Sequence, residues 1–240
     1  MDTDPASDDG SMIDIWNWSL DHPVGDENTA GAILSDDERA RAARFIRPRD
    51  AKRFLAGRVQ LRNILGQYIG VSPSEIIFSY GINGKPELVW EGSTALHFNL
   101  SHSAGQAILA VSRRFHLGID IEEIRPISED VAGHFFSPAE YADLQALPLA
   151  DQISSFYRCW TRKEAFIKAH GAGLSLPLEC FDVSLADNAG QTLLRRLDPL
   201  VGRAEDWALL NLDVDKSFCG ALAALTFGED VVLRYRDFSL

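Results

Sequence analysis

RDAKRFLAGRVQLRNILGQYI, residues 49–69, decides the fold class. Phe54, Leu55, Val59, Leu61, Ile64, Leu65, Tyr68 and Ile69 recur at helical spacing and form one broad apolar stripe. Pro48 stands before this helix and Gly70 stops it. Upstream, Ser35-Asp36-Asp37-Glu38 offers an N-cap followed by acids, so a shorter helix starts there and Pro48 breaks it. Further upstream, IDIWNWSL at 13–20 is rich in β-branched and aromatic residues and reads as a strand. Residues 1–11 are acidic and small, without periodicity. They read as a disordered tail or a remnant of cloning and stay outside the fold.

Downstream, strand-like runs fall at 75–79, 87–90, 96–100, 106–112 and 117–121, divided by turns such as Asn83-Gly84-Lys85-Pro86. A helical stretch covers 129–147 with an interruption at Pro138. A long helix over 151–170 then ends at Gly171. Strand candidates at 181–185, 206–212, 218–226 and 231–236 close the chain. Strand, helices, strands, then helices and strands again, reads as α+β. The halves share an outline, each a long helix with a small antiparallel sheet, and divide near Gly118. The N-terminal lobe is placed at 12–117 and the C-terminal lobe at 118–240. No stretch of sequence repeats.

The 240 residues can bury a real core, and 46% of them are hydrophobic. No apolar run approaches the roughly 20 residues of a membrane span. No signal peptide is recognisable. A cytoplasmic protein off the membrane is expected. Cys159, Cys180 and Cys219 are far apart and odd in number, which suits reduced thiols rather than zinc or disulfides. A formal net charge of −12 argues against a general nucleic-acid binder. The charge is uneven, since residues 39–62 hold nine basic residues against Asp50 alone. Such a block points to an anionic ligand or an acidic partner, or equally to a solvated helix face.

Three polar runs carry the chemistry. In GIDIE, 118–122, Ile119 and Ile121 face one side of a strand and Asp120 and Glu122 the other, roughly 6–7 Å apart. A hard cation would relieve their repulsion; two solvated acids on a half-exposed strand are the plainer reading of the pair alone. In WTRKEAFIK, 160–168, Glu164 and Lys168 share a helix face. They fit a surface ion pair, or a partly buried one beside Trp160 and Phe156. In HFNLSHS, 97–103, Ser101 and His102 offer a hydroxyl and an imidazole, or merely a turn with local hydrogen bonds. Nucleophile elbow, P-loop, dinucleotide and zinc signatures are absent from the sequence.

Taken in order, FNLSHS, GIDIE and W-x-x-KEAFIK resemble the 4′-phosphopantetheinyl transferases, and most of all their two-lobed, surfactin-type branch. GKP at 84–86, Arg53 within AKRFLAGR and GLSLP at 173–177 belong to the same likeness, which covers 36–185. The resemblance implies two similar α/β lobes related by a pseudo-twofold axis, with coenzyme A between them. It implies magnesium on Asp120, Glu122 and Glu164. Arg53, Lys85 and His102 would meet the phosphates of coenzyme A, with Ser101 adding a hydroxyl and Arg58 as a further candidate. Asp120 and Lys168 also face that substrate, and Lys168 supplies positive charge at the transferring phosphate. A serine hydroxyl of an apo carrier protein (acyl, peptidyl or polyketide) attacks. Glu164 takes its proton directly or through water, and 3′,5′-ADP leaves. The carrier, acidic along its recognition helix, would meet the basic segment and an exposed apolar patch near Phe135-Phe136 or Leu144. Glu38 stands where a cation would be welcome. Two lobes in one chain suit a monomer. The alternatives are a catalytically silent coenzyme A or nucleotide-binding module, and an interaction protein whose basic helix holds an acidic partner.

Overall fold

The computed structural model describes residues 11–22, 31–81, 84–92, 95–127, 130–187 and 193–236. Of the expected tail over 1–11 only Ser11 falls within them, and Asn83 of the expected turn lies outside.

The first long helix, α2 (Pro48–Ile69), forms where its stripe requires, with Pro48 in its first turn and Gly70 at its end. Leu61, Ile64, Leu65 and Tyr68 pack on Trp16, Phe98, Leu109 and Val111 of a sheet below. That sheet has the order β11-β1-β5-β4, from Val232–Arg236, Met12–Ser19, Gln106–Ser112 and His97–Ser103. The second long helix, α5 (Leu149–His170), packs Ala165 and Phe166 against Phe181, Ala221 and Ala223. Its sheet has the order β6-β10-β9, from Leu117–Glu123, Phe218–Leu225 and Trp207–Asn211. A hairpin follows each long helix: β2 (Ile77–Tyr80) with β3 (Pro86–Val89), and β7 (Phe181–Val183) with β8 (Leu194–Leu197).

The strands therefore follow the same plan twice. In the first half β1 pairs with β5 and β5 with β4; in the second β6 pairs with β10 and β10 with β9, while β11 joins β1 in the first sheet. A second likeness concerns short helices. Before α1 (Asp36–Ala42) the backbone N–H of Ser35 donates to Glu38. Before α4 (Pro138–Gln145) that of Ser137 donates to Glu140, and the Ser137 hydroxyl accepts from the Glu140 N–H. Both glutamates then turn inward to a cation of the long helix. Glu38 accepts from Arg62 at 2.8 Å and from Arg58. Glu140 lies 2.8 Å from Lys163, each side chain 1% exposed. The expected interruption at Pro138 is real: α3 (Val131–Phe135) ends first and Pro138 opens α4.

Two readings need correction. The first sheet is mixed rather than antiparallel, because β11 runs parallel to β1. Asp14 explains the pairing, being buried and in need of positive charge. Arg234 Nη2 donates to it at 2.9 Å and Arg236 Nε at 3.2 Å. Strand β8 escaped notice because LRRL shows no alternation, only an inward residue at each end.

Candidate functional site

Strand β4 is the edge of one sheet and β6 the edge of the other. They lie side by side, and side chains take the place of a backbone ladder. Asn99 Oδ1 accepts from the Ile119 N–H at 2.8 Å. Ser101 Oγ donates to Asp120 Oδ1 and Ser103 Oγ to Glu122 Oε2, both at 2.8 Å. The Glu123 N–H returns a bond to Ser103 Oγ at 3.2 Å. Asn99, Ser101 and Ser103 alternate along β4, so all three face β6. The carboxylates alternate on β6 in the same way, while Ile119 and Ile121 join the core on the other side. Asp120 is only 3% exposed, which rules out a solvated acid.

Helix α5 brings the remaining groups. A Cβ on Gly118 would lie 2.3 Å from the Ala165 carbonyl oxygen and 2.3 Å from the Ala169 nitrogen. Only glycine lets the helix rest on β6 this closely. Lys168 then reaches Asp120 Oδ1 at 2.6 Å, Ser101 Oγ at 3.0 Å and the Ile119 carbonyl at 3.2 Å. The surface Glu164–Lys168 pair is thus corrected, because the ammonium turns to Asp120 instead. Glu164 is half-buried and takes no hydrogen bond from the described residues. Burial, and then Asp120, push its carboxyl above the usual range, and Glu122 adds to the effect. Burial and Asp120 raise Glu122 likewise.

Asp120 Oδ2 is buried with no hydrogen-bond partner, an atom that a cation would satisfy. Oxygen donors suit magnesium. Among the described residues, however, no group of three or more His, Cys, Asp and Glu side chains stands ready to hold a metal ion.

Beside the seam opens a cavity of about 540 Å³, lined by Arg41, Arg53, Phe54, Arg58, Tyr80 and His102. Arg41, Phe54 and Tyr80 also border a second hollow, of about 740 Å³, that extends it. Burial, and then Lys168, lower His102, so its imidazole is neutral near pH 7. Arg53 reaches the cavity wall paired to Asp21. Arg58 borders the same space but is tied to Glu38 and stacks on Phe78 at 4.5 Å. Glu38 is accordingly a buried structural anchor, not a missing phosphate ligand. Lys85 is turned away from this cavity. Its Nζ donates to the carbonyls of Leu117 at 3.0 Å and Lys168 at 2.9 Å, pinning the hairpin to the start of β6 and the end of α5. The expected apolar patch is corrected as well. Phe136 and Leu144 are buried, Phe136 stacking on Phe156 at 5.2 Å, and only Phe135 stays exposed.

Sequence reasoning passed over Asn99, Ser103, Gly118 and Asp21. The alternation N-x-S-x-S in β4 was the available signal for the first two. The pairing of Asp21 with Arg53, 32 residues away, leaves no local trace.

Paired acids, a half-buried lysine and an arginine-lined cavity together suit an anionic ligand. Comparison with known proteins names the chemistry. Residues 116–223 match the family model of the 4′-phosphopantetheinyl transferase superfamily, and residues 22–114 match that of the N-terminal part of 4′-phosphopantetheinyl transferases. The chain is 40% identical to the 4′-phosphopantetheinyl transferase HetI of Nostoc sp., over 90% of this chain and 89% of that protein. It is 39% identical to a 4′-phosphopantetheinyl transferase of Bacillus subtilis, over 72% and 77% of the two chains. To the transferase Sfp of the same species it is 38% identical, over 71% and 76%. The chain belongs to the 4′-phosphopantetheinyl transferases, in their Sfp-like group, and is an enzyme of that kind.

Proposed function

We propose that this transferase moves the 4′-phosphopantetheine arm of coenzyme A to a serine of an apo carrier protein, with magnesium, and releases 3′,5′-ADP. Asp120 carries the reading. One of its oxygens is held by Lys168 and Ser101, and the other is buried and unmatched, beside an arginine-lined cavity. Coenzyme A bears about four negative charges on its phosphates, and arginine is suited to gripping them. It would lie along that cavity, whose lining from Leu20 to Gly105 belongs to the first of two lobes, 12–117 and 118–240, related by a pseudo-twofold axis, and reach from there to the acids of the second.

Asp120, Glu122 and Glu164 would hold the ion. When bound, it supplies charge neutralisation to the pyrophosphate. Lys168 places positive charge at the transferring phosphate, and Arg53, Arg58 and His102 line the way to the 3′-phosphate. His102, neutral, offers a hydrogen bond rather than a charge. Glu164, raised by burial and then by Asp120, is the acceptor for the serine proton. Lys85 acts through the position of α5 rather than by touching the substrate. An acidic carrier would approach the basic segment at 39–62, with Phe135 at its side. The protein would act as a cytoplasmic monomer; among the described residues no helix is long and apolar enough to cross a membrane.

Incubation of apo carriers with coenzyme A and magnesium tests the reading by mass spectrometry. A gain of roughly 340 Da on the carrier is expected, the mass of the transferred arm. Asp120→Ala and Glu164→Ala should abolish it while the protein stays folded. Coenzyme A binding without any mass gain across a panel of carriers would instead identify a silent binding module.

A further inference from the structure

We propose that Asp21, just past β1, is a positioning residue that presets Arg53 for the phosphates of coenzyme A; this rests on the function proposed above. Its carboxylate takes one edge of the guanidinium, with Arg53 Nε at 2.7 Å from Oδ1 and Nη2 at 2.6 Å from Oδ2. Nη2 also leans on the Ala104 carbonyl at 3.4 Å. Nη1 makes no hydrogen bond with the described residues and is left to a ligand. Arg53, Ala104 and Gly105 line the same cavity as His102.

The turn between β4 and β5 is shaped around this pair. Ala104 and Gly105 both have positive φ, 47° and 95°. A Cβ on Gly105 would lie 2.5 Å from Arg53 Nη2 and 2.7 Å from Asp21 Oδ2. The Leu20 N–H donates to the Gly105 carbonyl at 2.7 Å, which ties the residue before Asp21 to that turn. Three separate segments therefore meet at one arginine: the exit of β1, helix α2 and the β4–β5 turn. An arginine in water loses rotamer freedom when it grips a phosphate. One already held by its far edge loses less, so the clamp favours binding. Arg58, five residues on, is more deeply buried, with Nε held by Glu38, Nη2 by Tyr80 and its plane stacked on Phe78, and is less free to serve. A carboxylate this close to an incoming phosphate could instead repel it and compete for the guanidinium. The two roles have opposite signs.

A double-mutant cycle decides between them, with KM and kcat for coenzyme A measured on an apo carrier and Kd by calorimetry. Asp21→Ala should raise KM and Kd about 5–10-fold and leave kcat within about twofold, as lost ground-state binding does. Arg53→Ala should be worse. The double variant should match Arg53→Ala alone, because Arg53 holds Asp21 through two hydrogen bonds while Arg49, the acid's other cation, stands 3.7 Å away on an exposed side chain. Tighter binding by Asp21→Ala, or effects that multiply in the double variant, would overturn the proposal. Should Asp21→Ala fail to fold, Asp21→Asn gives the same comparison at unchanged shape. A wild-type enzyme that neither binds nor consumes coenzyme A would sink the parent reading instead.

Discussion

Lys168 Nζ lies 2.6 Å from Asp120 Oδ1, so the buried acid of β6 already faces a cation supplied by α5. The contact depends on Gly118, which admits the helix, and on Ser101, which holds the same oxygen from the neighbouring sheet. A divalent ion on Asp120 must share that carboxylate with an ammonium.

Lys168→Met should therefore separate ion binding from catalysis. Removing a like charge beside the acids favours a cation, so the variant should bind manganese about 3–10-fold more tightly in the absence of coenzyme A. Electron paramagnetic resonance titration reads this directly. Carrier modification should fall by about 10²–10³-fold, as when a preorganised charge is removed from a transfer site. Weaker manganese binding would show that Lys168 organises the acids rather than competing for them.

Glu140 and Lys163 form a buried pair that the reaction does not use. Glu140 also accepts from the backbone N–H groups of Ser137 and Val183, and Lys163 donates to the carbonyls of Leu178 and Phe181. Breaking such a pair leaves an uncompensated charge. Glu140→Ala should cost roughly 3–5 kcal/mol of stability in urea unfolding. Replacing both residues by apolar ones should recover a good part of the loss, with kcat little changed in whatever fraction remains folded. A cost below about 1 kcal/mol would mean that water reaches the pair.

Gly118→Ala tests how closely α5 must lie on β6. The added methyl meets backbone, which cannot turn aside as a side chain can. Overpacking of this kind costs roughly 1–3 kcal/mol. Moving Glu164 and Lys168 away from Asp120 should lower carrier modification at least about tenfold, since small misplacements are expensive. Thermal unfolding and the mass-shift rate, measured together, distinguish a displaced helix from an unfolded one. Full activity with unchanged stability would mean that the helix can slide.

The two long helices and most strands were legible because their cause is local. The stripe from Phe54 to Ile69 and the alternation of Ile119 and Ile121 are visible within a few residues. The acids were legible as a pair but not as buried groups, because Asp120 alternates as a solvated acid would. Its burial comes from β4, which contributes Ser101 from 19 residues earlier. The surroundings of Glu38 and Arg58 were hidden for the same reason. Their partnership spans 20 residues, and nothing in the run at 39–62 marks which arginines are already engaged. Strand β11 pairs with β1 across 220 residues, through Arg234 and Asp14. Local spacing carries no word of that.

Lys85 gives a pH signature. Burial pushes its ammonium down to about 8, and Lys168 adds to the shift, against an ordinary value of 10.5. In the unfolded chain the group keeps its proton to higher pH. Between about 8 and 10.5 the unfolded state therefore binds more protons, and stability rises with pH. Below 8 both states are charged and the folded state bears the full penalty. The stability of wild type relative to Lys85→Met should thus increase as pH rises from 7 to about 10, with the slope confined to that window. Guanidinium unfolding of both proteins at several pH values measures it. Parallel stability curves for the two would show that Lys85 is solvated in the folded enzyme, and that its carbonyl contacts to Leu117 and Lys168 do not hold the hairpin to α5.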